Sequence, residues 1–489
     1  MDEIRELKLI RYWGRKPPSM VVRYIEEFSN EGEIVLDPFG GSGSIVKTAL
    51  ALKRRAIYVD LNPFAKLIAE VSILGCPCVE FKRILDKIIN DKKLRVKTRR
   101  RRYREISREK LFSIKCPCGK SIEISSINFT RFYIYKQELN DLTELQRKVL
   151  DVIKRHKYIS HGRLVKQLNN LPSNSITKAV KKLIELGAII EEHKPLRISY
   201  VKTCDCGRTE LSDISYIPWV INEPVYPAYW YPKCKLEYSN GISFSKKRDV
   251  ERIYEFFDDK TLTFLSYMWH KIKNLKTLPS VKRCFYLLFM VTLTRSSKMA
   301  RKSGGTWPIN SYWIPRNYVV KNPFYIFLKA AKKFIRELSK DDHKPIVGDL
   351  STVIQKHADV AFILGDAKEL PIPNESIDYI ITDPPHTDEA QFFELSYFYT
   401  SWTKDKLDFK NELIVNLRQG KDIERYFQMY SKFVQEARRV LKPGKYFTVI
   451  LHDEDNKILK RYREVTEDAG LTFYKSEKLE DFYFFTFSR

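Results

Sequence analysis

Residues 381–386 read Ile-Thr-Asp-Pro-Pro-His, and the Asp-Pro-Pro at their centre could do chemistry. An isoleucine-rich apolar run over 376–381 predicts a buried parallel strand, which sets Asp383 at the strand's carboxyl end. Ligands of open α/β sheets bind at that end. Pro384 and Pro385 have no backbone N–H and a fixed φ, so they predict a stiff turn whose carbonyls are free to face a cleft beside the Asp383 carboxylate. Two fixed acceptors side by side can take both N–H bonds of an amino group and leave its nitrogen aimed at an electrophile. Taken alone, the tetrapeptide also reads as a strand that ends in a proline turn.

A second chemical signal lies far upstream. Residues 33–39 read as a strand, and Gly40, Gly41, Ser42 and Gly43 then open a helix predicted over 44–53. Glycines at such a turn let the backbone approach a ligand closely and aim helix N-terminal amides at an anionic group. The next strand, 55–59, ends in Asp60, where a carboxylate is placed to accept both hydroxyls of a ribose. The glycines are too closely spaced for the G-x-G-x-x-G fingerprint, and no G-K-[ST] follows to make a phosphate loop. A nucleoside ligand without phosphates fits this turn better.

With both motifs in view, the chain resembles the S-adenosylmethionine-dependent DNA amino-methyltransferases, which methylate adenine N6 or cytosine N4. Phe39-Gly40-Gly41-Ser42-Gly43 matches their F-x-G-x-G motif, and Asp383-Pro384-Pro385-His386 matches their D-P-P-Y motif. Arg15-Lys16-Pro17-Pro18 is similar to the basic-proline motif that closes over the methionine end of the cofactor. Asp366 matches the acidic residue used on the cofactor's adenine. The resemblance implies S-adenosylmethionine held by Lys16, Pro17, Asp37, Phe39, Gly40, Gly41, Gly43, Asp60 and Asp366. It implies catalysis by Asp383, Pro384, Pro385 and His386. His386 departs from the pattern, which puts Tyr, Phe or Trp there to stack on an extruded base; Phe392, Phe393 and Tyr397 are larger rings nearby. An Asp at the first catalytic position resembles the adenine enzymes. Cytosine N4, guanine N2 of an RNA, and DNA binding without catalysis stand as alternatives.

The elements that must position these residues form an α/β, Rossmann-like and mostly parallel sheet in two parts, 1–75 and 346–489. Asn62 as cap and Pro63 in the first turn start a helix over 62–74, after which a third strand should follow. Comparable patterns resume only at 359–364, so 76–345 reads as a large, mainly helical insertion for target recognition. Strands at 379–382 and 445–451, a helix near 426–441 and an edge hairpin of 471–478 with 482–487 complete the sheet.

The insertion has three pieces. Residues 92–110 form a basic run containing Arg99-Arg100-Arg101-Arg102, suited to phosphate contact or to a solvated face. Cys116-Pro117-Cys118-Gly119 is echoed by Cys204-Asp205-Cys206-Gly207, two shortened knuckles whose four thiolates suit a structural zinc. Cys76 and Cys78 form a third pair, expected to be buried after an apolar helix. Between the knuckles, 137–202 reads as a winged helix, with helices at 142–154, 160–168 and 173–186 and a hairpin over 188–199. Ser173 would cap its third helix, whose Ser175, Thr177, Lys178, Lys181 and Lys182 suit a DNA groove. The aromatic-rich part, 215–320, predicts helices near 252–275 and 281–293 and a basic loop over 301–308 able to line a nucleic-acid cleft.

Composition agrees with this reading. A chain of 489 residues with 43% apolar and 13% aromatic residues supports several cores, and a net charge of +26 calls for a polyanionic partner, here double-stranded DNA. No run of 18 apolar residues is present and four of the first seven residues are charged, so no membrane segment or signal peptide is expected. The expected compartment is the cytoplasm, where eight cysteines favour metal or free thiols over disulfides. A cognate restriction or defence-system protein is a further candidate partner.

Overall fold

The computed structural model describes residues 12, 18–211, 225–245, 250–301, 312–315, 317–338, 344–387, 390–453 and 455–489. The first part runs α1 (Pro18–Phe28), β1 (Ile34–Asp37), α2 (Ser44–Ala51), β2 (Arg55–Asp60) and α3 (Pro63–Leu74). The insertion opens with α4 (Cys78–Asn90), β3 (Lys93–Thr98), β4 (Tyr103–Ser107), α5 (Arg108–Leu111), β5 (Ser113–Lys115) and β6 (Ser121–Tyr135). It continues through α6 (Glu144–His156), β7 (Tyr158–Ser160), α7 (His161–Gln167), α8 (Ser173–Glu185), β8 (Ile189–Tyr200), β9 (Glu210–Leu211) and β10 (Val225–Pro227). Helices α9 (Asp259–Lys273), α10 (Pro279–Ser296) and α11 (Pro323–Leu338) follow, with β11 (Tyr318–Lys321) leading into the last of them. The second part holds α12 (Leu350–Ile354), β12 (Val360–Leu364), β13 (Ile377–Thr382), α13 (Phe392–Thr403), α14 (Ile423–Val440), β14 (Leu441–Leu451), α15 (Asn456–Asp468), β15 (Thr472–Leu479) and β16 (Phe482–Ser488).

Seven strands form the main sheet in the order β12-β2-β1-β13-β14-β16-β15. The first five are parallel, and β16 runs antiparallel between β14 and β15. This is the Rossmann-like arrangement anticipated above. The last strand of the chain sits inside the one before it, so the edge of the sheet is β15. Strands β1 and β13 are buried along their whole length because helices cover both faces. Val35, Tyr58, Tyr379 and Ile381 point to the face under α1 and α2, while Leu36, Ile57 and Ile380 point to the face under α14 and α15.

Chain direction explains how so large an insertion is tolerated. The chain leaves the sheet after β2 and α3, and it returns with β12, which pairs directly with β2. Parallel order is therefore unbroken by whatever lies between. The insertion is also bonded to the sheet's helical layer, since α9, α10 and α11 share one core with α3 and α13. Phe64 of α3 stacks on Tyr399 of α13 at 4.1 Å, and Thr294 of α10 hydrogen-bonds the Tyr399 hydroxyl at 2.8 Å.

Several local expectations need correction. The basic run, for which the sequence predicts no element, is an antiparallel hairpin of β3 and β4, with Arg99 to Arg102 exposed at its tip. No hairpin forms within 188–199. That stretch is one long strand, β8, and it pairs with β6, which precedes the three helices. Strand β7 pairs with the other edge of β6, giving the local order β7-β6-β8. The period-2 signal in β6 is weak because most of its side chains are only half-buried on both faces. Helix α8 starts at Ser173 with Pro172 in the cap position and no side-chain cap. Cys76 is buried as expected and Cys78 half-buried. The loop at 302–308 lies outside the described residues.

The seam between insertion and sheet centres on Trp402 of α13, fully buried among Trp230, Phe257, Trp269 and Phe289. Trp402→Ala is expected to cost about 3–5 kcal/mol in denaturant unfolding. Trp402→Phe is expected to cost clearly less, because the indole N–H has no partner to lose. A loss under about 1 kcal/mol for the alanine variant would show that the two regions do not share a core.

Candidate active site

The glycine turn is shaped by what surrounds it. A Cβ on Gly40 would lie 2.3 Å from the Tyr58 ring, so only hydrogen fits there. Gly43 holds the cap of α2 at φ +81°, a conformation that favours glycine. Asp60, at the tip of β2, binds the turn: its Oδ2 accepts from Gly41 N at 2.8 Å and its Oδ1 from Asn62 N at 2.7 Å. Tyr58 adds a hydroxyl bond to the Gly41 carbonyl at 2.8 Å. Asn62 caps α3 through Phe64 N, as its place before Pro63 predicts. Burial pushes the Asp60 carboxyl up to about 6, against the amides of Asn62, Gly41 and Leu61 that lower it.

The tips of β1 and β13 are joined beneath this turn. Thr382 donates its hydroxyl to Asp37 Oδ1 at 2.7 Å, and Phe39 N donates to both Thr382 Oγ1, at 3.2 Å, and Asp37 Oδ1, at 3.3 Å. Asp37 is only 1% exposed, and burial raises its carboxyl to about 8. Asp383 follows directly, next to the two prolines. The Pro385 carbonyl accepts from Tyr426 Oη at 2.8 Å and is committed to the scaffold.

His386 is 7% exposed, and its Nε2 lies 3.0 Å from Asp383 Oδ1. The two atoms meet off the hydrogen-bonding axis, so the contact is electrostatic. Its Nδ1 lies 3.5 Å from the His452 amide, which donates toward it. Phe392 and Phe393 line the same cavity, with Tyr12 stacked on Phe392 at 5.8 Å. Tyr397 packs instead against Phe244.

These groups line one cavity of about 1120 Å³, counting the space open to solvent at its mouth. Asp37, Phe39, Gly40, Gly41, Asp60, Asp366, Asp383, Pro384, Pro385 and His386 all reach it, whereas Gly43 lies behind the turn against Ala69. Asp366 is paired with Lys368 at 2.7 Å, and Lys368 also binds the Asn411 carbonyl at 2.6 Å. Lys16 and Pro17 lie outside the described residues. Sequence reasoning passed over Tyr12, Lys368, Thr382 and Glu412. Thr382 had a signal in its place before Asp383, but Glu412 sits in an irregular stretch with no periodicity to mark it.

A family model described as DNA methylase matches residues 6–71, the stretch that carries the glycine turn and Asp60. The Type II methyltransferase M.MjaII of Methanocaldococcus jannaschii is 20% identical over 497 aligned residues, covering 96% of this chain and 75% of that protein. The chain is thus similar to DNA methylases over its glycine turn and to a Type II methyltransferase over most of its length. Two solved structures also match it in part. A DNA modification methylase from Thermus thermophilus is 15% identical, with a TM-score of 0.17, over 26% of this chain and 50% of that one. An S-adenosylmethionine-dependent methyltransferase from Methanococcus maripaludis is 12% identical, with a TM-score of 0.17, over 34% of this chain and 63% of that one. The chain thus spans between half and two thirds of those two proteins.

Away from the cavity, the chain gathers Cys116, Cys118, Cys204 and Cys206, whose sulfurs all lie within 4.8 Å of one another. Each knuckle is a turn, one between β5 and β6 and the other between β8 and β9, and the two are built alike. Gly119 N bonds Cys116 O at 2.7 Å and Gly207 N bonds Cys204 O at 2.8 Å, with both glycines at positive φ. Sulfurs pair across the knuckles at 3.6 Å, Cys116 with Cys206 and Cys118 with Cys204. A tetrahedron with Zn–S bonds of about 2.3 Å has edges of about 3.8 Å, so the four thiols fit a zinc ion. Purified protein is expected to carry about one zinc per chain by elemental analysis. Cys204→Ser should lose the metal and lower the melting point, while Cys78→Ser, outside the cluster, should keep it. Metal-free protein with unchanged melting would remove zinc from the account.

Proposed function

We propose that this protein transfers a methyl group from S-adenosylmethionine to the exocyclic amino group of a base flipped out of duplex DNA, adenine N6 before cytosine N4. The observation that carries the reading is the convergence of Asp383 and the Gly40–Gly43 turn on one cavity. The bound cofactor supplies an electrophilic methyl group on a positively charged sulfur. Asp383 and the Pro384 carbonyl accept the two N–H bonds of the base, which orients the nitrogen lone pair for in-line attack. Phe39 and the glycine turn cradle the cofactor, Asp60 takes ribose, Asp366 takes adenine, and Lys16 and Pro17 close over the methionine end. Asp37, bonded to Thr382, holds the floor of the turn in place. An Asp in place of Ser at position 383 resembles the adenine enzymes. Because His386 lies against Asp383, stacking on the base falls to Phe392 or Phe393.

The insertion supplies the grip on DNA. Helices α6, α7 and α8 with the β7-β6-β8 sheet make a winged helix whose wing strands come from before and after the helices, and the zinc knuckles stand where a wing turn would close. Lys178, Lys181 and Lys182 are exposed on α8. The hairpin tip adds Arg99 to Arg102, and Tyr103 behind it stacks under Arg95 at 4.4 Å. The relative's printed name, a Type II methyltransferase, supports a restriction system as the setting.

Asp383→Ala is expected to lower methyl transfer by about 10² to 10³ or more, with S-adenosylhomocysteine affinity changed only a few fold. Wild-type turnover in that variant would sink the assignment. DNA affinity should fall about a thousandfold between roughly 50 and 200 mM salt if six or more phosphates are neutralised. Replacing Arg99 to Arg102 with Ala should flatten that slope and weaken all sequences alike. An unchanged slope would mean that the hairpin tip is only a solvated surface.

A further inference from the structure

Among the buried polar atoms of the cavity wall, Glu412 Oε2 has no hydrogen-bond partner, although the residue is only 4% exposed. The carboxylate is held in place by its other oxygen, which accepts from Phe393 N at 2.9 Å in the first turn of α13. Its nearest cation does not serve it. Lys421 is spent on two carbonyls, those of Phe409 and of Glu412 itself, the latter at 2.9 Å. A buried acceptor left without a donor costs stability, so a fold that keeps one has a use for it.

The surroundings say what the donor is. Glu412 lines the cavity together with Tyr12, Asp60 and Asn62, and it lies within electrostatic reach of Asp60. Both Asp60 oxygens already take backbone amides, from Gly41 and Asn62. A ribose diol brings two hydroxyl donors to this end of the cavity. Resting on the methyltransferase reading, we infer that Glu412 is a second recognition residue for the nucleoside part of the cofactor, its Oε2 accepting a ribose hydroxyl beside Asp60. Burial and the nearby Asp60 and Glu394 hold its carboxyl high, at about 7, the state of a group waiting for a donor.

Calorimetry with S-adenosylhomocysteine on the full-length protein tests this without any turnover. Glu412→Gln is expected to weaken binding by about tenfold or more, the range for a bond to a charged acceptor. The same variant should melt no lower than wild type without ligand, since it removes an unsatisfied buried charge, and should gain less on adding ligand. Removing the 2′- or 3′-hydroxyl of the ligand should weaken wild-type binding and leave the Gln variant almost unaffected, as a shared contact requires. Equal affinity of wild type and Glu412→Gln overturns the inference. Insensitivity of the variant to loss of the adenine 6-amino group, with full sensitivity to loss of both hydroxyls, overturns the ribose assignment. If wild type itself does not bind S-adenosylhomocysteine, it is the methyltransferase reading that fails.

Discussion

The site depends on a single junction, the hydrogen bond from Thr382 to Asp37 where parallel strands β1 and β13 end side by side. These two residues stand far apart in the chain, with the entire insertion between them. Register alone would set the strand ends near each other, but not which loop faces which. Thr382 Oγ1 also accepts from Phe39 N, so one side chain fixes the direction in which the glycine turn leaves β1 and the point at which Asp383 leaves β13. Burying Asp37 to do this raises its carboxyl to about 8, a local cost that the hydroxyl and amide donors offset in part.

From that junction, support spreads outward in layers. Asp60 binds the glycine turn from β2, Asn62 caps α3, and the Asn62 amide donates to Ser396 of α13 at 2.7 Å. Helices α3 and α13 therefore face the cavity with one end and the insertion with the other. The core around Trp402 joins them to α9 and α10, which makes the insertion a continuation of the catalytic layer.

What could be read from the sequence follows from how local its cause is. The strand, glycine turn and Asp60 were legible because a buried parallel strand and a strand-to-helix turn each leave a short signature. Asn62-Pro63 was legible because capping is local. The hairpin misplaced at 188–199 shows the opposite case. Strand β8 has the composition of a hairpin arm, but its partner β6 lies before three helices, and only long-range pairing reveals it. His386 was legible as a departure from a motif, yet its contact with Asp383 depends on the His452 amide at the end of β14. Glu412 and Lys368 lie in loops and meet at the cavity only through the Asn411 carbonyl.

Charge is divided in a way that composition alone hides. The chain carries +26 overall, yet Asp37, Asp60, Asp366, Asp383 and Glu412 line the cavity, where the one lysine among the described residues, Lys368, is paired with Asp366. The basic exterior is suited to phosphates and the acidic interior repels them, which matches a nucleoside ligand better than a nucleotide. Asp37, Asp60 and Glu412 are held at about 8, 6 and 7 respectively, chiefly by burial. A carboxyl raised in this way weakens the fold as pH climbs from its ordinary value through the raised one, because the folded state binds the proton more tightly. A ligand that brings hydroxyl donors or positive charge favours the ionised forms and reverses part of that loss. On the proposed function, cofactor binding at neutral pH would be linked to proton release, because the acids raised by burial are the ones that line the cavity.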